Sequence, residues 1–494
     1  MCKDKYFILN FGRGKNFNIK KALCLIIAAV IVAAAYMAWV RYVSERSIVI
    51  ISTTDVHAKV ENFPRLATAI ARCRDTVATI VADAGDRWTG NAYVDMAREP
   101  RRPVIDMMNA MVYDVATLGN HEFDDGQAFL GHINSLCRFD VVCANVVSDT
   151  ITFPQPEPYR ILWRRGVKIG FVGVVTNNDH NNHPAGKDES FVGLSFPDPI
   201  ETAAGYGYLK DRCDVLVLLS HMGDDMDARL AQKCTDYDLI LCGHTHSLVD
   251  TVVNGTPLGQ SGYGAKNIGV THIRMKGTKI ASLDYRIVPI TEFAPDTLYE
   301  RWVADLHDNE ALNRPVGESR RILTRTGLAA WETDAMRRRF DADVAFYHFG
   351  GIRYDSLPER SISTGVIYGL EPFSSTLYTM RMTPAQMRRM IISKYNDTVN
   401  PTESHRIDLF STTPYTICLD ARGEAVDVIF PDLEEADTCR VVMGDYMYKN
   451  YRDIEATDVV DEGVLLTDVL INHLRENSPI DYSNEGLQNI RRVE

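Results

Sequence analysis

The chain has 494 residues and a formal net charge of −13, with 45% hydrophobic and 24% charged residues and no low-complexity segment. These values are typical of an ordinary globular protein with room for more than one domain. The acidic balance argues against nucleic-acid binding, and it suits an anionic substrate only where bound cations reverse the local field. Nothing in the composition predicts a protein partner.

The first 45 residues differ from the rest of the chain. A basic stretch precedes an uncharged run from Ala22 to Val40, which as a helix spans about 28 Å, close to the ~30 Å core of a bilayer. Because the basic residues come first, we expect residues 1–45 to form a cytoplasmic tail and a transmembrane anchor. The remaining chain is then extracytoplasmic, in the periplasm or at the cell surface. A cleaved signal peptide is the alternative, with Ala33-Ala34-Ala35 as its small-residue site.

Residues 46–290 alternate short apolar, β-rich segments with helical patterns, which predicts a layered α/β domain. The segment 159–175 is typical of a hairpin that turns at Arg165-Gly166, so we expect mixed sheets. The predicted strands are 47–52, 77–84, 114–119, 140–147, 168–175, 214–220 and 238–243, and helical spacing occurs at 64–73 and 94–111.

A charged segment, 291–317, is helical in its first half and then broken by Pro315-Val316-Gly317, and we interpret it as a linker. A second domain of α+β type is predicted over 318–494. It begins with a helix near Ala329–Phe340 and continues through a Gly-rich turn into strand-like segments.

Polar clusters follow several predicted strands of the first domain. Because ligands bind at the carboxyl ends of strands in open α/β sheets, we expect these clusters to converge on one crevice. Imidazole, carboxylate and amide ligands suit divalent Mn, Zn, Fe or Co, and two such ions ~3.5–4 Å apart can share a bridging carboxylate. The clusters are Asp55-Val56-His57, Gly85-Asp86, Gly119-Asn120-His121-Glu122, Ser220-His221 and Gly243-His244-Thr245-His246.

Taken in this order, D-x-H, G-D, G-N-H-E, S-H and G-H-x-H resemble the motifs of the calcineurin-like metallophosphoesterase superfamily. The resemblance covers about 46–290 and implies two divalent metal ions of unspecified identity, together with a catalytic dyad of His121 and Asp124. The ligands it implies are Asp55, His57 and His246 for one ion, Asn120, His221 and His244 for the other, and Asp86 as the bridge.

The second domain carries three motifs that resemble the substrate-binding domain of the 5′-nucleotidase family, including its bacterial bifunctional members. The segment 348–353, H-F-G-G-I-R, is similar to N-x-G-G-I-R, and 371–376, E-P-F-S-S-T, is similar to L-P-F-x-N-T. The segment 441–446, V-V-M-G-D-Y, is similar to V-x-x-N-D-Y/F, while the family's G-G-D-G is absent.

This second resemblance covers about 318–455 and implies a nucleotide as the substrate. It places Arg353, on the turn of Gly350 and Gly351, beside the phosphate or ribose, and makes Phe373 one face of an aromatic clamp on the base. We predict Tyr451 as the second face of this clamp. Upstream, Arg325 is a candidate for a further phosphate contact.

The two resemblances together imply two-metal hydrolysis of extracytoplasmic nucleotides, with a nucleoside 5′-monophosphate yielding nucleoside and phosphate. A UDP-sugar pyrophosphohydrolase or a 2′,3′-cyclic nucleotide phosphodiesterase is the alternative, because one metal site serves all three ester types. A non-catalytic nucleoside-binding surface protein is a further alternative. The complete ligand set argues against it, since a binding module needs no bridging Asp with six further ligands.

Overall fold

The computed structural model describes residues 19–149, 153–177, 182–357, 360–398 and 404–493. Most of the predicted basic tail lies outside these residues. Helix α1 (Ile19–Tyr42) contains the uncharged run of the sequence. Within the described ranges, none of the helices is both long enough and apolar enough to cross a membrane. The predicted transmembrane helix therefore lacks support here.

The amino-terminal half of the fold is a layered α/β unit. Its strands are β1 (Glu45–Thr53), β2 (Ala78–Asp83), β3 (Val115–Ala116), β4 (Asp140–Val141), β5 (Val147–Ser148), β6 (Tyr159–Arg164), β7 (Val167–Val175), β8 (Leu194–Ser195), β9 (Val215–His221), β10 (Leu239–Leu241), β11 (Leu248–Val253), β12 (Thr256–Ser261), β13 (Asn267–Lys276) and β14 (Lys279–Pro289). Its helices are α2 (Phe63–Thr76), α3 (Ala92–Asp95), α4 (Arg102–Ala110), α5 (Gln127–Leu136), α6 (Pro199–Gly205) and α7 (Asp224–Lys233).

Two six-stranded sheets form the centre of this unit among the residues that the structure describes, in the orders β14-β13-β1-β2-β3-β4 and β11-β12-β10-β9-β7-β6. Both are mixed, as predicted: β1, β2, β3 and β4 run parallel while β13 is antiparallel to β1. The sheets pack face to face through Ile48 and Ile50 of one and Phe171 and Val217 of the other. Helices cover both outer faces. A parallel strand in such a sandwich is buried on both sides, which explains the continuous apolar run of β1.

The hairpin predicted at Arg165-Gly166 is confirmed, since β6 and β7 pair antiparallel across it. The prediction of helical structure throughout 94–111 is wrong, because this segment forms two separate helices, α3 and α4. Arg101 between them adopts a left-handed φ of 66°, and its side chain forms ion pairs with Asp95 and Asp125. Pro103 lies in the first turn of α4, where its missing N–H costs nothing.

The carboxyl-terminal half is an α+β unit. Its strands are β15 (Pro315–Glu318), β16 (Val344–His348), β17 (Ser361–Ser363), β18 (Thr376–Met382), β19 (Leu409–Ser411), β20 (Tyr415–Leu419), β21 (Ala425–Ile429), β22 (Cys439–Gly444), β23 (Thr457–Leu465) and β24 (Gln488–Arg492). Its helices are α10 (Arg325–Phe340), α11 (Thr364–Leu370), α12 (Pro384–Tyr395), α13 (Asp445–Asn450) and α14 (Leu466–Asn477), after α8 (Thr297–His307) and α9 (Glu310–Asn313) of the preceding segment.

The sheet β19-β16-β22-β18-β23 separates two cores of this half. On one face, helices α10, α11 and α14 pack around Trp331. On the other face, α12 and the small sheet β21-β20-β24 enclose a cluster rich in methionine. The helix predicted at Ala329–Phe340 is confirmed as the main part of α10.

The predicted linker, 291–317, is helical in its first half, as expected, and leads through α9 into strand β15. Helix α8 packs against α2 of the first half, with Tyr299 in that half's core and Trp302 beside it. The domain boundaries at 46–290 and 318–494 remain predictions.

Candidate active site

The carboxyl ends of β1, β2, β9 and β10 bring the polar clusters of the first half together. Asp55 follows β1, Asp86 follows β2 and His221 ends β9. Gly119 and Gly243 permit this approach, because a Cβ at Gly119 would lie 2.2 Å from Asp86 Oδ1 and one at Gly243 would lie 2.6 Å from Thr54 Oγ1. The convergence expected from the strand order is therefore present.

The backbone at these residues is unusual. A left-handed φ is rare for residues other than glycine and costs on the order of 1–3 kcal/mol, so it persists only where the surroundings enforce it. Strain of this kind concentrated on predicted metal ligands indicates a site held in a fixed geometry. The φ values are 50° for Asp55, 47° for His57, 56° for Asp86, 82° for His244 and 59° for His246.

The side chains of the first predicted ligand set meet at one point. Nε2 of His57 lies 2.9 Å from Nε2 of His246, and Nε2 of His246 lies 3.6 Å from Oδ1 of Asp55. The potential ligand atoms of these three residues all lie within 4.8 Å of one another.

The second predicted set lies beside the first. Nε2 of His221 is 3.1 Å from Oδ2 of Asp86, and Nδ1 of His244 is 3.0 Å from Oδ1 of Asn120. Asp86 stands between the two groups, because its Oδ2 also lies 3.9 Å from Nε2 of His57. The seven predicted ligands therefore form one continuous cluster.

The chemistry of this donor set fits divalent cations. Nδ1 of His221 lies 2.7 Å from the Ala84 carbonyl and donates its hydrogen there, which directs the Nε2 lone pair at the Asp86 carboxylate. This Nε2 is buried and has no hydrogen-bond partner of suitable geometry among the described residues. His57 is held in the same way, with Nδ1 3.1 Å from the Thr89 carbonyl. Lone pairs that converge on each other and on carboxylates are stable around a cation.

The electrostatics of the cluster differ between its ligands. Burial raises the pKa of Asp55 to about 7 against the opposing charge of His221. Burial opposes charge on His221 as well, but Asp86 outweighs it and raises the pKa of His221 to about 10. For His57 and His246, burial and then the charge of Arg353 hold the pKa well below its usual value. Metal ligation requires neutral imidazoles and ionised carboxylates, so His57 and His246 are already in the ligating state, whereas His221 and Asp55 release protons when an ion binds.

The predicted dyad has the geometry of a held proton donor. Nδ1 of His121 lies 2.9 Å from Oδ2 of Asp124, and that oxygen also accepts a hydrogen bond of 2.6 Å from Thr89 Oγ1. Burial lowers the pKa of His121, but Asp124 and Asp86 outweigh it and leave the pKa raised. The backbone N–H of His121 donates to Oδ1 of Asp86 over 2.9 Å, which joins the dyad to the metal cluster.

Glu122 holds the loops of this site together, although sequence reasoning gave it no role. Its buried carboxylate accepts hydrogen bonds of 2.9 Å from the backbone N–H groups of Asp86 and Arg87, and it also accepts from that of Gly119. The signal was available, because Glu122 is the last residue of the G-N-H-E motif.

A cavity of about 490 Å³ opens from the metal cluster toward the second half of the chain. Arg353 reaches across it, with Nη2 2.9 Å from Nδ1 of His57. Phe373 stacks on His121 with ring centroids 5.7 Å apart, and the Arg353 guanidinium lies 5.5 Å from the centre of its ring. Gly350 and Arg325 also line the cavity. The structure thus brings these four predicted substrate residues to the cluster.

Two predicted substrate residues lie elsewhere. Tyr451 is only 8% exposed, packs in the core around α12, and donates its hydroxyl to Asp408 over 2.6 Å. It follows α13, which carries it inward, so the prediction of a second clamp face at Tyr451 is corrected. Gly351 is buried behind the turn, where a Cβ would lie 2.7 Å from both Tyr347 and His348. Its role is therefore packing.

Several cavity residues were not singled out from the sequence. The ring of Phe349 has the Arg325 and Arg406 guanidinium groups 4.2 and 4.6 Å from its centre. Tyr446 also lines the cavity, five residues before Tyr451. Phe349 and Tyr446 belong to motifs that were recognised, whereas Arg406 lies in no such motif.

The profile of the calcineurin-like phosphoesterases matches residues 48–248, and that of the 5′-nucleotidase C-terminal domain matches 308–456. The fold and the site thus define the class of metal-dependent phosphoester hydrolases. Within that class, the chain combines a region that matches the calcineurin-like phosphoesterases with a region that matches the 5′-nucleotidase C-terminal domain.

Known proteins resemble the chain over most of its length. It is 27% identical over 403 residues to the trifunctional nucleotide phosphoesterase protein YfkN of Bacillus subtilis (strain 168), which covers 69% of this chain and 27% of that protein. A 5′-nucleotidase precursor from Thermus thermophilus superposes with a TM-score of 0.77 at 21% identity, covering 90% of this chain and 99% of that one.

The Thermus thermophilus sulfate thiohydrolase SoxB superposes with a TM-score of 0.74 at 17% identity, covering 90% and 96% of the two chains. At such identities, these two structures establish a shared fold alone. The matched region spans about a quarter to a third of the length of the first curated relatives.

Proposed function

We propose that the chain hydrolyses nucleotide phosphate esters with two divalent metal ions, and that it converts nucleoside 5′-monophosphates to nucleoside and phosphate. The observation that carries the proposal is that one cavity joins the metal-ligand cluster to Arg353 and Phe373. A site that hydrolyses nucleotides needs metal ligands, a cation that binds the phosphate and an aromatic ring that contacts the base.

One ion would be held by Asp55, His57 and His246, and the other by Asn120, His221 and His244, with Asp86 shared. Bound in this way, the ions would neutralise phosphate charge and would lower the pKa of a water molecule that attacks phosphorus.

The protein's own residues bind the substrate and move the proton. His121, fixed through Nδ1 by Asp124, has Nε2 left to donate a hydrogen bond or proton to the leaving ester oxygen. Arg353 offers a planar set of donors to the phosphate. The negatively charged substrate is attracted to this cation and the metals despite the net charge of the chain.

Aromatic side chains line the part of the cavity that would receive the base. Phe373, Phe349 and Tyr446 offer aromatic surfaces along the cavity, and stacking on them accepts any base. The name of the Bacillus relative, a trifunctional nucleotide phosphoesterase, supports a nucleotide. The fold by itself does not select the substrate, because a sulfate thiohydrolase shares it.

Phosphate release from AMP, UDP-glucose and 2′,3′-cyclic AMP, with and without added Mn²⁺, tests the proposal. We expect kcat/KM for AMP to exceed that for the other two by about tenfold or more. Asp86→Asn should abolish release from all three, because an amide has one ligand oxygen and cannot bridge two ions as a carboxylate does. A preference for UDP-glucose or the cyclic nucleotide would replace the monophosphate assignment with that alternative.

No turnover of any of the three by metal-loaded protein would favour the non-catalytic alternative. Equilibrium dialysis with labelled adenosine and AMP would then show whether the chain binds nucleosides without hydrolysing them. The matched Asp86→Asn variant separates metal-dependent from metal-independent binding.

We also propose that the catalytic unit is extracytoplasmic. The proposal is supported by the basic residues that precede the uncharged run and by exposed apolar side chains within that run on α1, such as Leu25 at 71%. Exposed apolar surface of this extent needs an apolar cover. Protease added to intact spheroplasts should digest the catalytic unit; protection from the protease would contradict the proposal. An amino terminus near residue 36 on the mature protein would indicate a cleaved signal peptide.

A further inference from the structure

A buried carboxylate holds the loop that carries Phe373. Glu371 is 1% exposed, and its Oε1 accepts the backbone N–H of Ser375 over 3.0 Å and that of Phe373 over 3.3 Å. Its Oε2 accepts the hydroxyl hydrogen of Tyr347 over 2.8 Å. One side chain therefore ties both ends of a three-residue turn to strand β16.

This carboxylate is a feature of the present chain. The family pattern that 371–376 resembles is L-P-F-x-N-T, with an apolar residue where Glu371 stands. A leucine side chain cannot accept these two N–H groups, whereas the Glu371 carboxylate accepts both. Backbone groups with a charged acceptor make stronger hydrogen bonds than neutral pairs do.

The ring that this loop presents stands at a sensitive place. Phe373 lies between His121, at a centroid distance of 5.7 Å, and the Arg353 guanidinium, at 5.5 Å. Its position decides how a substrate that reaches the metal cluster contacts an aromatic surface. A shift of the loop backbone would move the ring relative to both groups.

We infer that Glu371 is a positioning residue, which fixes the backbone of residues 373–375 and thereby the ring of Phe373 in the substrate cavity. The effect on substrate binding rests on the proposed function, in which Phe373 contacts the nucleotide base. The effect on the loop itself does not depend on that function.

A second buried glutamate provides a matched control. Glu332 on α10 is fully buried and close enough to Glu371 to interact electrostatically. Neither of its carboxylate oxygens has a hydrogen-bond partner among the residues that the structure describes. Glu332→Leu therefore removes a buried carboxyl next to the loop without removing any hydrogen bond to it.

The experiment compares Glu371→Leu, Glu371→Gln and Glu332→Leu in the full metal-loaded chain. Hydrogen–deuterium exchange of residues 371–376 is measured first. We expect exchange about tenfold faster in Glu371→Leu, because its amides lose their acceptor. Exchange should stay near wild type in Glu371→Gln, whose amide oxygen still accepts, and in Glu332→Leu.

Kinetics with AMP and with p-nitrophenyl phosphate, which has no base, form the second measurement. Glu371→Leu should raise KM for AMP about tenfold, equivalent to about 1.4 kcal/mol. Its kcat/KM for p-nitrophenyl phosphate should change less than about threefold, and Glu371→Gln should restore the AMP value.

Unchanged loop exchange in Glu371→Leu would overturn the inference, and so would equal acceleration in Glu332→Leu. If Glu371→Leu fails to fold, faster exchange or a raised KM in the soluble Glu371→Gln variant would also contradict it. Faster exchange in Glu371→Leu with unchanged KM for both substrates would support the positioning role. The same result would contradict a different claim, namely the contact between Phe373 and the base in the proposed function.

Discussion

Three histidines of the site differ in the group that holds Nδ1. His57 and His221 have Nδ1 against a backbone carbonyl, which keeps a hydrogen there and turns Nε2 toward the Asp86 carboxylate. His121 has Nδ1 against the carboxylate of Asp124, which stabilises a protonated ring. The first arrangement suits a metal ligand and the second suits a proton donor, so the partner of Nδ1 predicts each role.

Replacement of His121 tests this division. His121→Ala should lower kcat by about 10²–10⁴-fold with the bound metal unchanged, because it removes a proton donor and no ligand. Metal content by plasma mass spectrometry and phosphate release are measured on the same samples. His132→Ala, at an exposed histidine paired with Glu99, is the control and should match wild type. Loss of metal in His121→Ala would identify this ring as a ligand.

Replacement of Phe373 tests the substrate side of the cavity. Stacking contributes about 1–3 kcal/mol per base, so Phe373→Ala should raise KM for AMP by roughly 5- to 150-fold. The KM for p-nitrophenyl phosphate should change far less. An equal change for both substrates would mean that Phe373 shapes the site without contacting the base.

At the scale of elements, the sequence predicts best what is local to a strand end. Each metal-ligand motif directly follows an apolar run, and parallel strands place their carboxyl ends at one edge of the sheet. Asp55 and Asp86 could therefore be assigned to one site although 31 residues separate them. The hairpin at Arg165-Gly166 was also predictable, because a turn of this kind is specified by the residues within it.

Features that depend on packing were beyond the sequence pattern. Tyr446 and Tyr451 differ only in their place on and after the short helix α13, yet the first lines the cavity and the second is buried. The helical spacing at 94–111 gives no sign of the left-handed Arg101, which Asp95 and Asp125 hold. Side-chain direction in short elements follows from tertiary contacts, which periodicity does not record.

The buried Glu332 on helix α10 lowers the stability of the folded protein, and this effect can be measured. Burial and the charge of Glu371 hold the pKa of Glu332 well above its usual value, so this group binds a proton that the unfolded chain releases above about pH 4.3. The contribution of Glu332 to the free energy of unfolding of the wild-type protein therefore falls as the pH rises above that value. Glu332→Leu should raise the free energy of unfolding by about 1–3 kcal/mol, and more at pH 8 than at pH 5. Urea unfolding at both values measures this, and a gain of equal size at the two pH values would contradict the account.

At the scale of the molecule, the site depends on both halves of the chain. The metal-ligand cluster belongs to the first half, whereas Arg353 and Phe373 come from the second and reach His57 and His121. A further contact, between the Tyr263 hydroxyl and Asp355, joins the halves at the cavity rim. A catalytic centre on one half and substrate contacts on the other make the relative placement of the halves part of the function.

The most direct test of the account is anomalous diffraction from crystals of the full chain soaked in Mn²⁺. We expect two anomalous peaks ~3.5–4 Å apart at the cluster, with Asp86 in contact with both. Asp86→Asn crystals, soaked in parallel, should lose at least one peak. A single peak, no peak, or two peaks outside the seven predicted ligands would contradict the two-metal centre on which the proposed activity depends.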